Sequence, residues 1–254
     1  MSDLSAFSLA GRRIVVTGAN TGIGQGIAVS IAKAGGEVIG VGRSSMQETA
    51  GLVSAAGAKF SEARCDLADH AAAQVMFDQV WESHGPIDGL VNNAGIIRRA
   101  DSVDFTETDW DDVMDVNLKS LFFLCQAFGR RVMAGQRQGR IVNIASVLSF
   151  QGGIRVASYT ASKHGVLGIT RLLACEWAQR GVNVNAIAPG YIETNNTEAL
   201  RADPDRSAAI LARIPAGRWG GPEDIGDAAV FLLAPASNYM HGAVVPVDGG
   251  WLAR

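Results

Sequence analysis

The chain has 254 residues, of which 48% are hydrophobic, 30 are glycine and only 7 are proline, with a formal net charge of −3. Glycine is nearly twice as frequent as its usual share of about 7%. The apolar content excludes a disordered low-complexity chain, the absence of a three-residue glycine period excludes collagen, and the weak charge gives no footprint for nucleic acid or an anionic membrane.

Taken in chain order, short β-branched runs alternate with helical segments. A strand at 14–16 precedes a helix at 22–34, and a strand at 38–41 precedes a helix at 46–56. A strand at 59–65 and a helix at 70–84 follow, then strands at 89–91 and 141–144 separated by a long helix at 110–133. A second long helix at 158–179 leads to strands at 182–187 and 244–247. Strands separated by helices imply βαβ crossovers, so the predicted fold is α/β: a doubly wound, mainly parallel, seven-stranded sheet with helices on both faces. There is no internal repeat and no Pro/Ser linker, which predicts a single domain over 1–254. The longest interval between strands holds 193–219, whose charge pattern reads equally as a helical flap over a site or as a solvated surface helix.

Cys65, Cys125 and Cys175 have no CxxC spacing and their odd number argues against a disulfide framework. With an N-terminal segment, MSDLSAFSLAGRR, that lacks a signal-peptide pattern, this points to a cytoplasmic, reducing compartment. No apolar run approaches the roughly 18 residues of a membrane span. His70, His84, His164 and His241 are scattered, so no metal site is expected.

After the first strand comes Thr17-Gly18-Ala19-Asn20-Thr21-Gly22-Ile23-Gly24. Glycines at a strand-to-helix turn let the backbone approach a pyrophosphate, and the helix start offers unpaired N–H groups to it. Further along, Tyr159 and Lys163 stand at i and i+4 of a helix, so both can face one cleft. A fixed ammonium beside a phenol favours the phenolate and would lower its pKa from about 10. Such a phenol exchanges protons with a carbonyl or alcohol oxygen as hydride moves. Ser146, at the end of its strand, would hydrogen-bond the same oxygen.

These motifs together resemble the classical short-chain dehydrogenase/reductase family over essentially the whole chain. The TGxxxGxG pattern supplies Gly18, Gly22 and Gly24; Asn92-Asn93-Ala94-Gly95 is similar to the family's NNAG brace, and Cys65-Asp66-Leu67 to its adenine-contacting element. The resemblance implies a Rossmann-type fold and an NAD(P) site that also takes in Asn20, Thr21, Ile23, Asp66, Leu67, Asn93, Ala94, Gly95, Pro189, Gly190, Ile192 and Thr194. It further implies Tyr159 as acid/base, Ser146 as orienter, Lys163 on the nicotinamide ribose and Asn117 holding a water in a proton relay. In this family the helix of Gly165 and Gly168 often lies in a tetramer interface, which implies a homotetramer; Gly226 is given no role.

The cofactor reading is divided. A carboxylate about 20 residues beyond the glycines would mark NAD, but the second strand ends Val41-Gly42-Arg43-Ser44, and Arg43 suits a 2′-phosphate. Several stretches, among them Ile96-Ile97-Arg98-Arg99 and Ile214-Pro215-Ala216-Gly217-Arg218-Trp219, are similar to a branch acting on six-carbon deoxy- and keto-deoxy sugar acids, which implies NAD. NAD is favoured by resemblance and NADP by Arg43. For a small-molecule sugar acid, Arg155 with Arg98 or Arg99 would hold the carboxylate, Arg218 lies beyond the flap, and Gln151 and Asn195 would meet hydroxyls. An acyl carrier-protein reductase or polyol dehydrogenase of the same mechanism, and a dinucleotide sensor without catalysis, are the alternative functions.

Overall fold

The structure, a computed structural model, describes residues 4–254; the first three residues of the N-terminal segment read above lie outside it. Seven strands form one sheet in the order β3-β2-β1-β4-β5-β6-β7, with every neighbouring pair parallel. They are β1 Arg13–Thr17, β2 Glu37–Gly42, β3 Phe60–Arg64, β4 Gly89–Asn92, β5 Gly139–Ile144, β6 Val182–Pro189 and β7 Val244–Val247. The helices are α1 Gly22–Lys33, α2 Gln47–Ala55, α3 His70–His84, α4 Glu107–Met114, α5 Ser120–Ala134, α6 Ala157–Trp177, α7 Glu198–Ala202, α8 Pro204–Leu211 and α9 Pro222–Leu233.

The central strands read as continuous apolar runs because both sheet faces are covered; every residue of β4, β5 and β6 is buried. One face packs on α3, α5 and α6 through Phe77, Leu124, Phe128 and Leu173. The other packs on α1 and α9 through Ile27, Ile31, Ile225 and Leu232. β3 lies at the sheet edge and keeps Glu62 and Arg64 paired to each other at 2.6 Å. The polar residues inside β6 have local work. Asn183 Nδ2 donates to the carbonyls of Asn238 and Met240, and Asn185 both donates to Met240 O and accepts from Ala243 N, pinning the loop that enters β7.

Two regions depart from the sequence reading. The helix predicted over 110–133 is α4 and α5 joined by a π-helical turn at Asp115–Lys119. Such a turn inserts a wide i→i+5 step without breaking the helical run, and neither glycine nor proline marks it in the sequence. The predicted flap is two short helices without buried residues, α7 and α8, divided where the Asp203 side chain caps α8 and Pro204 starts it. It is nonetheless anchored, since Ile214 and Trp219 are buried.

Gly226, which had no role in the sequence, is where α9 meets α1. A Cβ there would lie 2.8 Å from the Gly26 carbonyl oxygen, and one at Gly26 would lie 2.5 Å from Pro222 Cβ. The two helices touch at backbone distance, so a side chain at that crossing forces them apart. Gly226→Leu is expected to lower the unfolding free energy by about 1–3 kcal/mol, measured by urea denaturation. An unchanged midpoint would contradict the close approach.

Candidate active site

An all-parallel sheet sends the carboxyl ends of its strands to one edge, and the strand order reverses between β1 and β4, where a crevice must open. A cleft of about 890 Å³ lies there, lined by the glycine turn, Arg43, Asn93, Ser146, Tyr159 and Lys163, and by residues of the 193–219 segment.

Thr17, the last residue of β1, closes the cofactor end. Its Oγ1 accepts from the backbone N–H of Asn93 and of Ala94, both at 3.0 Å, while Asn93 Nδ2 donates to Thr17 O at 2.9 Å. The NNAG segment is thereby fixed against the glycine turn. Gly18 and Gly22 have φ of +67° and +56°, and a Cβ on Gly24 would strike the Gly18 carbonyl. Gly24 is thus the close-packing glycine of the three, and Gly18 and Gly22 shape the turn itself. Thr21 precedes α1 without a side-chain cap on the helix, so the first-turn N–H groups are left for an anion. This cradle fits a dinucleotide pyrophosphate.

Beside it, Asn20 Nδ2 donates to Ser44 Oγ at 3.0 Å. Arg43 lies 3.6 Å from Asp66, both largely exposed at the cleft edge. Asp66, two residues beyond β3, is thus the partner of the Arg43 guanidinium that follows β2. Leu67 is buried, and Pro189, Gly190, Ile192 and Thr194 line the same cleft.

At the reacting end, β5 runs into Ser146, whose Oγ accepts from Leu148 N at 3.1 Å. Ser149 Oγ accepts from Ser146 N and donates to Lys163 O at 2.7 Å, bolting this turn to α6. Lys163 is 4% exposed, and its Nζ donates to Ile144 O at 2.6 Å. Burial pushes the Lys163 ammonium down to about 8. Its Nζ stands 5.5 Å from the centroid of the Tyr159 ring. Burial pushes the Tyr159 phenol up, against the hydrogen bond from Ser146 and the positive charge of Arg99. This reverses the sequence expectation of a lowered phenol. Desolvation acts on both groups, and the ammonium is committed to the Ile144 carbonyl.

Asn117 sits in the π-helical turn, buried. Its Oδ1 accepts from Ile96 N at 2.8 Å, and its Nδ2 donates to Ile96 O at 3.0 Å and to Ser162 Oγ at 3.3 Å. It ties the loop after β4 to α6. Gly95 lies between, where a Cβ would be 3.3 Å from Asn117 Oδ1 and 3.8 Å from Lys163 Nζ.

The arginines divide differently from the sequence reading. Arg98 lines the cleft but pairs with Asp109 and Asp112, and Arg218 pairs with Asp224 at 2.7 Å. Arg155 pairs with Asp101 at 3.1 Å and is not part of the cleft lining. Arg99, Gln151 and Asn195 do line it. Sequence reasoning missed Arg206, Arg213 and Trp251, which line the cleft from the flap and the C-terminal turn; the only signal was a charge pattern in the flap. Among the described residues there is no cluster of His, Cys, Asp and Glu able to hold a metal ion, and no helix is long and apolar enough to cross a membrane.

A family model described as enoyl-(acyl carrier protein) reductase matches residues 18–252. The 2-dehydro-3-deoxy-D-gluconate 5-dehydrogenase of Escherichia coli is 55% identical, covering 99% of both chains. The chain belongs to the short-chain dehydrogenase/reductase family. As a member it is an oxidoreductase, and the seven-stranded sheet is that family's Rossmann-like fold. A crystal structure from Agrobacterium tumefaciens, provisionally named a 2-deoxy-D-gluconate 3-dehydrogenase and holding NADP, is 61% identical. It superposes with a TM-score of 0.93 over 98% of this chain and 99% of that one. A gluconate 5-dehydrogenase from Burkholderia cenocepacia, solved with NADP and tartrate, is 37% identical, with a TM-score of 0.93 and both chains covered in full.

The low pKa of Lys163 has a consequence for stability. With a folded value of about 8 against 10.5, the unfolded chain binds the extra proton between these pH values, so unfolding free energy rises with pH there. Below pH 8 both states are protonated and the contribution is flat. Denaturation of wild type and Lys163→Met across pH 7–10 should therefore show wild-type stability growing relative to the variant only above about pH 8. A difference that falls with pH would contradict this placement of the ammonium.

Proposed function

We propose that the protein oxidises and reduces a keto-deoxy sugar acid of the 2-dehydro-3-deoxy-D-gluconate type with NADP(H). The observation that carries this reading is the convergence of Ser146, Tyr159 and Lys163 at one end of a cleft whose other end is the glycine cradle. The high identity to a 2-dehydro-3-deoxy-D-gluconate 5-dehydrogenase supports the substrate class. Arg43 beside the end of β2, together with NADP in the related structures, weighs towards NADP and against the NAD implied by resemblance.

When bound, the nicotinamide would accept or supply the hydride. Gly18, Gly22 and the start of α1 would hold the pyrophosphate, and Arg43 the 2′-phosphate. In the reducing direction the Tyr159 hydroxyl donates its proton to the carbonyl oxygen and becomes the phenolate, and in the oxidising direction the Tyr159 phenolate takes the proton from the alcohol. Ser146 Oγ–H donates a hydrogen bond to that same oxygen. Lys163 Nζ, fixed on Ile144 O, would hold the nicotinamide ribose and supply positive charge beside it, and a bound phosphate would favour its protonated form. Asn117 would hold the relay water. The expected homotetramer would use the outer face of α6, where Gly168 stands open and Leu172 is exposed.

Absorbance of the reduced cofactor, followed with NADP and NAD in turn over 2-dehydro-3-deoxy-D-gluconate, 2-deoxy-D-gluconate, polyols and acetoacetyl thioester, tests the reading. Turnover of a sugar acid with NADP preferred is expected. Tyr159→Phe should bind cofactor normally while losing about 10²–10⁴-fold in kcat. Preferential turnover of the thioester, or near-native turnover by Tyr159→Phe, would overturn the reading.

A further inference from the structure

One wall of the cleft carries two arginines that, among the described residues, have no carboxylate within ion-pair distance. Arg43, Arg98, Arg155 and Arg218 each have a carboxylate within ion-pair distance. Arg206 and Arg213 line the cleft too, and among the described residues neither has a carboxylate partner. Arg213 follows α8, and its guanidinium carbon lies 3.9 Å from the centroid of the Trp251 ring. Trp251 comes from the C-terminal turn and is 3% exposed, yet lines the cleft; its Nε1–H is buried without a partner. Tyr191 packs on Trp251 at 4.7 Å and on Trp219 at 5.5 Å, which holds the indole in place. Burial pushes the Tyr191 phenol up, against the positive charges of Arg213 and Arg206, so both guanidiniums lie close enough to act on it.

The chemistry of this set is specific. A guanidinium held over an indole ring by cation–π attraction is braced without a carboxylate, which leaves its N–H donors for another acceptor. Two guanidiniums and an indole N–H are donors with no acceptor among them. A carboxylate is the complementary group, since when ionised it only accepts.

We propose that Arg213, braced by Trp251 and assisted by Arg206, is the anchor for the substrate's carboxylate and selects sugar acids over neutral polyols. This assignment rests on the sugar-acid reading above and replaces Arg155 and Arg98, which pair with Asp101 and with Asp109 and Asp112. Arg99, which also lines the cleft without a carboxylate partner among the described residues, donates to Asn196 O and lies near Tyr159, at the other end of the substrate.

The test compares D-gluconate with D-glucitol, the same chain with a hydroxymethyl group in place of the carboxylate. Calorimetry measures binding of each to the enzyme with NADP, and steady-state kinetics gives KM and kcat for 2-dehydro-3-deoxy-D-gluconate. Arg213→Met should weaken gluconate binding and raise KM by about 10- to 100-fold, the worth of one charge-assisted pair. Glucitol binding and kcat should change much less. Arg213→Lys should recover part of the loss, and Arg130→Met, which removes an exposed charge on α5, should match wild type. If Arg213→Met does not fold, Arg213→Lys and Arg206→Met carry the same comparison. Unchanged gluconate binding, equal losses for gluconate and glucitol, or no gluconate binding by wild type would overturn the anchor. Arg213-dependent gluconate binding without turnover of any sugar acid would uphold the anchor and overturn the substrate reading.

Discussion

A lysine ammonium taken out of water is among the most expensive groups a fold can contain, because its hydration must be replaced by protein partners. Lys163 gives up its water for one carbonyl, Ile144 O, at the end of β5. The rest of the reacting site is arranged around that contact. It draws α6 onto the strand end, and Ser149 repeats the link one layer away by donating to the Lys163 carbonyl. Asn117 then joins α6 to the loop after β4 through Ser162 and Ile96. The residues proposed to transfer the proton therefore come from three places in the sequence and owe their proximity to a few buried polar bonds. The same burial sets their chemistry, lowering the ammonium and raising the phenol.

The sheet makes this local arrangement part of a larger site. With all strands parallel, the turn after β1, the brace after β4 and the serine after β5 open on one edge. Thr17 links the first two through its hydroxyl, and Asn117 carries the connection from the loop after β4 to α6. The excess of glycine follows from that geometry. Some glycines shape the βα turn at the cradle, and others, such as Gly24 and Gly226, exist so that backbone can meet backbone.

Features legible in the sequence are those set by local pattern. Apolar runs mark buried parallel strands, TGxxxGxG marks the cradle, and Tyr159 with Lys163 follows from helical spacing. The π-helical turn at Asn117 was illegible because no glycine or proline within it interrupts the helical run. The arginines were illegible for another reason: their roles depend on which acids the fold brings near. Arg155 finds Asp101 and Arg218 finds Asp224, while Arg213 meets Trp251, 38 positions away, only through the chain's final turn. The direction of the Tyr159 shift also escaped, since sequence shows a neighbouring charge but not the depth at which both groups are buried.

The pKa of Lys163 tests the central claim most directly. The chain has only four lysines, Lys33, Lys59, Lys119 and Lys163, so NMR titration of isotopically labelled lysine side chains is tractable, and Lys163→Met assigns the signal by its loss. The account predicts a midpoint of about 8 for Lys163. A midpoint at the ordinary lysine value of 10.5 would show that the ammonium is solvated, and would contradict the account.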